Sequence, residues 1–483
     1  MSFTPVFAFL GRLLTLFAMA MLLPAAVALA YGESGDAYVF AATASVTLFF
    51  GVGMVFASQG GTRRVRRRGD LLLAIVSWPL LAAFAAAPFY FLGATETPVD
   101  AFFEALSGLT TTGATVISGL DGLGRGLVFW RAWLQWIGGL GTIVLAVAVL
   151  PMLGVGGLQV FRSAMPLGGQ ATLEAHIARS AITLSWIYGG LTMLCIFALW
   201  IAGMPVFDAV AHGFSALSTG GFSTRDAALG AFDNPLVEMV LIVFMLAGAM
   251  NITIYWALSH ARFGAARRDP EFVPLLVLAI VAAVIAANLL ARLGGFEAFD
   301  AIRHGIFAAV SALTTTGFIS DETIPWPPAL LILFLGLMFV GGASGSTAGG
   351  VKLMRIMLAL RHGRRELARL SHPHGVVRIH YGTAAVPEQA MQALWSFFVF
   401  FMSGFAALAV ALSAFGLDAA DAISMALATL ANAGAGLPLV AGAEVSYAVL
   451  PDPAKWVLCL GMILGRLEVV AVVALLTPMF WRR

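Results

Sequence analysis

The sequence predicts an all-α polytopic membrane protein: four pseudo-symmetric helix–pore loop–helix repeats around one pore, preceded by an extra two-helix hairpin. Three observations predict it. The 483 residues are 60% hydrophobic and 11% charged, with a mean hydropathy of +0.93, and apolar stretches repeatedly reach the ~20 residues that cross a bilayer. Lys and Arg gather on alternate connections between those stretches. A hydrophobic half-helix that runs into Leu, with Gly four residues on, occurs four times: Leu109-Thr-Thr-Thr-Gly113, Leu217-Ser-Thr-Gly-Gly221, Leu313-Thr-Thr-Thr-Gly317 and Leu430-Ala-Asn-Ala-Gly434.

The first two spans, about residues 5–30 and 36–58, have no pore segment between them and form the added hairpin. Arg12, an apolar core and the small-residue run Ala25 to Ala30 have the composition of a secretory signal, but the core is long and a second span follows at once, so retention is expected. The basic clusters Arg63-Arg64-Val-Arg66-Arg67-Arg68, Arg262 with Arg267 and Arg268, and Lys352 to Arg378 mark cytoplasmic connections. Tyr31 to Asp36 and Leu437 to Asp452 carry almost no Lys or Arg, which places both termini inside, with Arg482 and Arg483 closing the chain there. These basic runs need no nucleic acid to explain them.

The aligned glycines recur about every hundred residues, a repeat long enough for a spanning helix, a half-helix, a turn and a second spanning helix. Outer and inner spans are expected at 70–94 and 128–153, 178–203 and 234–261, 271–293 and 327–360, and 391–415 and 453–480. The chain then divides into the hairpin at 1–69 and pore repeats at 70–177, 178–270, 271–386 and 387–483. Asp100, Asp208 and Asp421 each lie thirteen residues before an aligned glycine, where an acid caps or faces the positive end of a short helix. Asp300 sits a turn earlier and predicts a longer third pore helix. The negative ends of all four helices would point at the turns that follow, which favours a cation there.

A dehydrated monovalent cation needs a ring of oxygens, which backbone carbonyls provide when the chain adopts angles that glycine tolerates. The hydroxyl and amide groups of Thr111, Thr112, Thr219, Thr315, Thr316 and Asn432 are placed to hold the turns. None of the four turns contains Asp or Glu, which argues against a calcium channel. Close helix packing through small residues would explain one such turn, but not four at matching places.

With these turns, Trp130-Arg-Ala-Trp-Leu-Gln-Trp-Ile-Gly-Gly-Leu-Gly141, Leu150-Pro-Met-Leu-Gly-Val-Gly-Gly157, Gly220-Gly-Phe-Ser-Thr-Arg-Asp226 and Gly341-Gly-Ala-Ser-Gly-Ser-Thr-Ala-Gly-Gly-Val-Lys352 resemble the membrane subunit of bacterial Trk potassium uptake systems, in the Trk, Ktr and HKT superfamily. The resemblance spans the chain, and the leading hairpin fits the Trk branch. It implies a potassium filter built from Thr111, Thr112, Gly113, Thr219, Gly220, Gly221, Thr315, Thr316, Gly317, Asn432, Ala433 and Gly434. Gly113 is similar to the potassium-selective members, where sodium-preferring relatives carry serine. Ala431 and Ala435 depart from the usual pattern, which has Asn and Pro, and bear on the strictness of selectivity. The resemblance also implies a homodimer with one pore in each subunit, a bacterial inner-membrane location, and a cytosolic regulatory subunit that binds a nucleotide such as NAD or ATP.

Five of the ten residues from Gly341 to Gly350 are Gly and the rest are Ala, Ser or Thr, so this stretch of the third inner helix unwinds at little cost. It resembles the family's intramembrane loop, which implies a gate at Gly345, Ser346, Thr347, Gly349 and Gly350. A close helix-packing face is the alternative. Arg466, in the middle of the last span, costs roughly 2.5–3.5 kcal/mol there unless it meets water or a partner. The resemblance assigns it to the gate; an ion pair with Glu468 of a neighbouring repeat is the compatible alternative. Lys352 either holds the loop, faces the inner vestibule or snorkels to the interface. Arg131 and Gln135 are interface residues or buried inter-repeat bonds, not ion ligands.

On the cytoplasmic face, Arg355 to Glu388 holds six arginines with His362, His372, His374 and His380, which read as solvated residues before a metal site. Val376 to Tyr381 alternates like a strand of a hairpin. No glycine-rich nucleotide fingerprint follows a strand, so the nucleotide is expected on the partner. Cys195 and Cys459 lie in apolar spans and read as buried, unpaired residues. No Ser/His pair, HExxH motif or intramembrane Asp pair marks an enzyme. The competing transport class is a sodium- or proton-coupled secondary carrier working by alternating access.

Overall fold

Long apolar segments become helices because only a helix satisfies its own backbone groups in lipid. The computed structural model describes residues 4–59, 67–146, 173–260, 262–264, 269–321, 324, 326–372, 377–382, 384–441, 446–467 and 469–477. Arg63, Arg64, Arg66, the segment Leu150–Gly157, Arg267, Arg268, His374, Glu468, Arg482 and Arg483 lie outside the described residues. Among the described residues, six helices are long and apolar enough to cross a membrane, or up to seven if one bent pair is a single span.

The leading hairpin is Thr4–Ala30 against Ser34–Ala57. Its tip is fastened to the first unit by Glu33, whose carboxylate accepts from the Arg125 and Gly126 amides at 2.6 and 3.0 Å, at the positive end of the first inner helix. The four units follow, each an outer helix, a short pore helix and an inner helix. The pore helices are Pro98–Leu109, Val206–Ser218, Ala298–Leu313 and Ala419–Leu430. The third is the longest, with Asp300 in its first turn as the sequence predicts. Asp100, Asp208 and Asp421 also lie in first turns, but the capping side chains are Thr97 and Asp418. The acids face the dipole from inside the helix.

The packing order makes a ring. Each pore helix packs on its own outer helix and also on the inner helix of the preceding unit: Val206–Ser218 on Arg125–Val144, Ala298–Leu313 on Pro235–Ala249, and Ala419–Leu430 on Pro328–Val340. Pro98–Leu109 closes the circle on Asp452–Leu467 of the fourth unit. That closure carries a buried ion pair, Lys455 Nζ to Asp100 Oδ1 at 2.5 Å.

One inner span differs from the expected continuous helix, and another breaks where the sequence predicts. The span expected at 234–261 is two helices, Pro235–Ala249 and Ile252–Ser259, bent by 95°. Asn251 at the break caps the second piece, accepting from the Thr253 amide at 3.0 Å. The span expected at 327–360 is interrupted after Val340 by the glycine-rich loop and resumes as Leu353–Ser371, a charged helix. His380–Tyr381 and Ala384–Ala385 pair antiparallel, a short form of the expected cytoplasmic hairpin. Cys195 and Cys459 are buried and unpaired.

Candidate cation pathway

All four pore helices end in the same way. The residue two before each aligned glycine is left-handed: Thr111 (φ 51°), Thr219 (51°), Thr315 (55°) and Asn432 (50°). In the first helix the Thr112 amide reaches back to the Ser107 carbonyl at 2.9 Å and the Thr111 amide to Gly108 at 3.0 Å. Gly220 and Thr219, Thr316 and Thr315, and Ala433 and Asn432 repeat this pair of bonds, which is a Schellman ending. The ending normally takes Gly, or sometimes Asn, at its left-handed position; Thr there costs roughly 1–2 kcal/mol each. The same cost met at Thr111, Thr219 and Thr315 points to side chains required at that level.

Gly113, Gly221 and Gly317 are at positive φ two residues further on. Left-handed angles at alternate residues turn successive carbonyls to one side of the chain, the arrangement an ion ring needs. The fourth segment differs: Gly434–Gly436 forms a 3-10 turn, and the Ala435 amide donates to the Thr112 carbonyl at 3.1 Å. The Ala435 methyl sits within 3 Å of where a Cβ would stand on Gly113, Gly221 or Gly317. Thr111, Thr112, Thr219, Gly220, Thr315, Thr316, Asn432, Ala433 and Gly434 are all buried around this convergence.

The loop 341–350 lies against the helix ends. The Gly349 amide donates to Thr315 Oγ1 at 2.6 Å, the Gly350 amide to the Ala431 carbonyl at 2.9 Å, and Thr219 Oγ1 to Thr347 Oγ1 at 3.3 Å. Thr347 Oγ1 also donates to the Leu217 and Gly248 carbonyls at 2.9 and 2.8 Å. Three further backbone bonds join the loop to the bend of the second inner helix: Ala343 N–H to Ala249 O, Thr347 N–H to Gly248 O, and Ile252 N–H to Gly345 O, at 2.9, 3.2 and 3.1 Å. Non-helical backbone is thus satisfied by protein at this depth. Ser346 donates to the Ala343 carbonyl inside the loop.

Arg466 completes the contact. It is 5% exposed, donates through Nη1 to the Thr347 carbonyl at 2.9 Å, and through Nη2 to Thr111 Oγ1. The loop and Arg466 together therefore touch all four helix endings. The Glu468 pairing considered as an alternative lies outside the described residues. Lys352, at φ 79°, donates to the Ala348 carbonyl and so holds the loop; with Arg355 and Arg466 it lines a cavity that also borders Thr142, Gly349 and Phe397.

Arg131 and Gln135 resolve to buried inter-repeat bonds. Arg131 pairs with Glu104 at 2.9 Å, donates to Thr115 Oγ1 and the Ser223 carbonyl at 3.0 and 3.1 Å, and lies 4.1 Å over the Phe222 ring. Gln135 Oε1 accepts from the Phe222 amide at 3.2 Å. These bonds tie the chain leaving the first turn to the chain leaving the second. Sequence reasoning missed Glu104, Lys455 and Asn251; the signal for the first two was charge inside apolar helices. Among the described residues no cluster of His, Cys, Asp or Glu is arranged for a metal.

A family model described as "TrkH: Cation transport protein" matches residues 37–483. The chain belongs to this family. The Trk system potassium uptake protein TrkH of Vibrio parahaemolyticus is 40% identical over 100% of both chains, and TrkG of Escherichia coli is 34% identical over 98% of this chain and 97% of its own. The crystal structure of the potassium transporter TrkH from Vibrio parahaemolyticus matches with a TM-score of 0.91 at 38% identity, covering 100% of each chain. The family fits the polytopic helical fold, and its members are transporters rather than enzymes.

Proposed function

We propose that the chain takes up potassium across a bacterial inner membrane, with both termini cytoplasmic, through the four turns at Thr111–Gly113, Thr219–Gly221, Thr315–Gly317 and Asn432–Gly434. The names of the relatives supply the ion. The observation that carries the mechanism is the contact of the loop and Arg466 with all four pore-helix endings. A positive charge and a peptide segment directly beneath an ion ring form an electrostatic and a steric barrier. Gly345, Ser346, Thr347, Gly349, Gly350 and Lys352 form the movable part, and Arg466 locks it to the first turn. The boundaries 1–69, 70–177, 178–270, 271–386 and 387–483 divide the chain into hairpin and repeats. The working unit is a homodimer, and a cytosolic nucleotide-binding subunit drives opening from the cytoplasmic face.

The test is cation efflux from potassium-loaded liposomes and single-channel recording in bilayers. Potassium-selective efflux with unitary current steps supports the pore. Slow turnover without steps, obligatorily coupled to sodium or protons, would replace it with the carrier.

A further inference from the structure

The loop has a second attachment on its cytoplasmic side. The Ser344 amide donates to both carboxylate oxygens of Glu271 at 3.1 Å. Glu271 stands immediately before the third outer helix, Phe272–Leu293, and is 0% exposed. Its Oε2 also accepts from the Tyr381 hydroxyl at 3.0 Å. Tyr381 belongs to the two-stranded cytoplasmic hairpin, whose His380, Gly382 and Ala385 are exposed. One buried carboxylate therefore joins the intramembrane loop to a surface element.

The neighbouring bonds reinforce that node. Asp269 accepts from the Glu271 and Phe272 amides at 2.9 and 3.1 Å and from Asn251 Nδ2 at 3.2 Å. Asn251 precedes Ile252, whose amide holds the Gly345 carbonyl. Ser344 and Gly345 are thus both held, one by Glu271 directly and one through the bend that Asp269 braces. A buried carboxylate is costly, and an apolar residue at the same place would relieve that cost. Here, just outside the span, burial pushes the Glu271 carboxyl up to about 7; Asp269 pushes the same way, while the Ser344 amide, the Tyr381 hydroxyl and Lys352 oppose it.

We propose that Glu271 is a positioning residue through which the cytoplasmic hairpin, by way of Tyr381, holds the intramembrane loop closed. A force that draws the hairpin away removes one partner from Glu271 and loosens its hold on Ser344. The proposal rests on the gating role of the loop and adds the element that controls it.

The experiment uses the full-length protein in liposomes with three variants, Glu271→Gln, Tyr381→Phe and the double. Rubidium flux is read together with labelling of a Ser346→Cys reporter by a membrane-impermeant thiol reagent; the native Cys195 and Cys459 are buried. Each single variant is expected to raise both flux and labelling about tenfold, the scale of one lost hydrogen bond to a charged group, and the double no more than either single. Wild-type flux should fall as pH rises through about 7, because ionised Glu271 is the stronger acceptor for Ser344 and Tyr381; Glu271→Gln should be flat over that range. Labelling within about twofold of wild type in both singles, or additive effects in the double, overturns the proposal. Should Glu271→Gln fold poorly, Tyr381→Phe, which loses only a hydroxyl, decides the question by labelling. Deleting Gly345–Thr347 tests the gate separately: unchanged flux there sinks the gating role, while labelling in the point variants still reports the linkage.

Discussion

Replacing Gly113 tests whether the first turn shapes an ion ring. Gly113 is at φ 76°, and a Cβ there would stand well under 3 Å from the Gly220 carbonyl oxygen and 2.7 Å from the Ala435 methyl. The left-handed backbone alone costs a side chain roughly 1–2 kcal/mol. The overlap with Gly220 is backbone, so it is relieved only by turning that peptide and moving its oxygen out of the ring. Losing one oxygen from a cation is comparable to losing a hydrogen bond to a charged group, roughly 1.5–3 kcal/mol, and about 1.4 kcal/mol is a factor of ten. Gly113→Ser should therefore lower the potassium-over-sodium permeability ratio at least tenfold, read as reversal potentials in bilayers or paired efflux from liposomes. Because the argument concerns Cβ, Gly113→Ala must behave like Gly113→Ser. An alanine variant that keeps full selectivity while the serine variant loses it would refute the steric reasoning and place the effect in the hydroxyl.

Arg466→Ala removes the bonds to Thr347 and Thr111, and rubidium efflux without any partner should rise roughly tenfold to a hundredfold; unchanged efflux would remove Arg466 from the gate. Thr347→Val loses its hydroxyl bonds to the Leu217 and Gly248 carbonyls, so thermal unfolding in detergent should show a loss of about 1–2 kcal/mol together with raised flux. Glu104→Gln leaves Arg131 buried beside a neutral group and should cost about 3–5 kcal/mol, seen as a lower melting temperature. The double variant Glu104→Gln with Arg131→Met should recover much of that loss.

The repeat was legible because the Schellman ending has a local signature: Leu109, Leu217, Leu313 and Leu430 close the apolar faces, and the left-handed position follows at fixed spacing. Asp300 correctly marked the longer third pore helix. The bend at Met250–Asn251 was not legible. No Pro or Gly stands at it, and it exists because the Gly248, Ala249 and Ile252 backbone groups turn to the loop 341–350, a contact distant in sequence. Within the span expected at 327–360 the break at Gly341–Gly350 was legible from its glycines, whereas the extent of the charged helix that resumes after it, Leu353–Ser371, was not. Lys352 left three roles open in sequence; in the fold it donates to the Ala348 carbonyl of the loop and also lines the cavity beside Arg355 and Arg466, which is compatible with the first two. Glu104 and Lys455 are charges whose partners come from the folded ring, so spacing along the chain says nothing about them.

The closure of the ring by Lys455 on Asp100 joins residues 355 positions apart. During synthesis the first pore helix enters the membrane with the neighbour it will finally rest on not yet made. At about 5–20 residues per second, Asp100 waits on the order of 20–70 s for its cation. The other pore helices find the preceding inner helix already in place. Assembly of this molecule is therefore directional, and the last span acts as its keystone: a chain cut short before Asp452–Leu467 keeps three of the four joints and leaves Asp100 without its lysine.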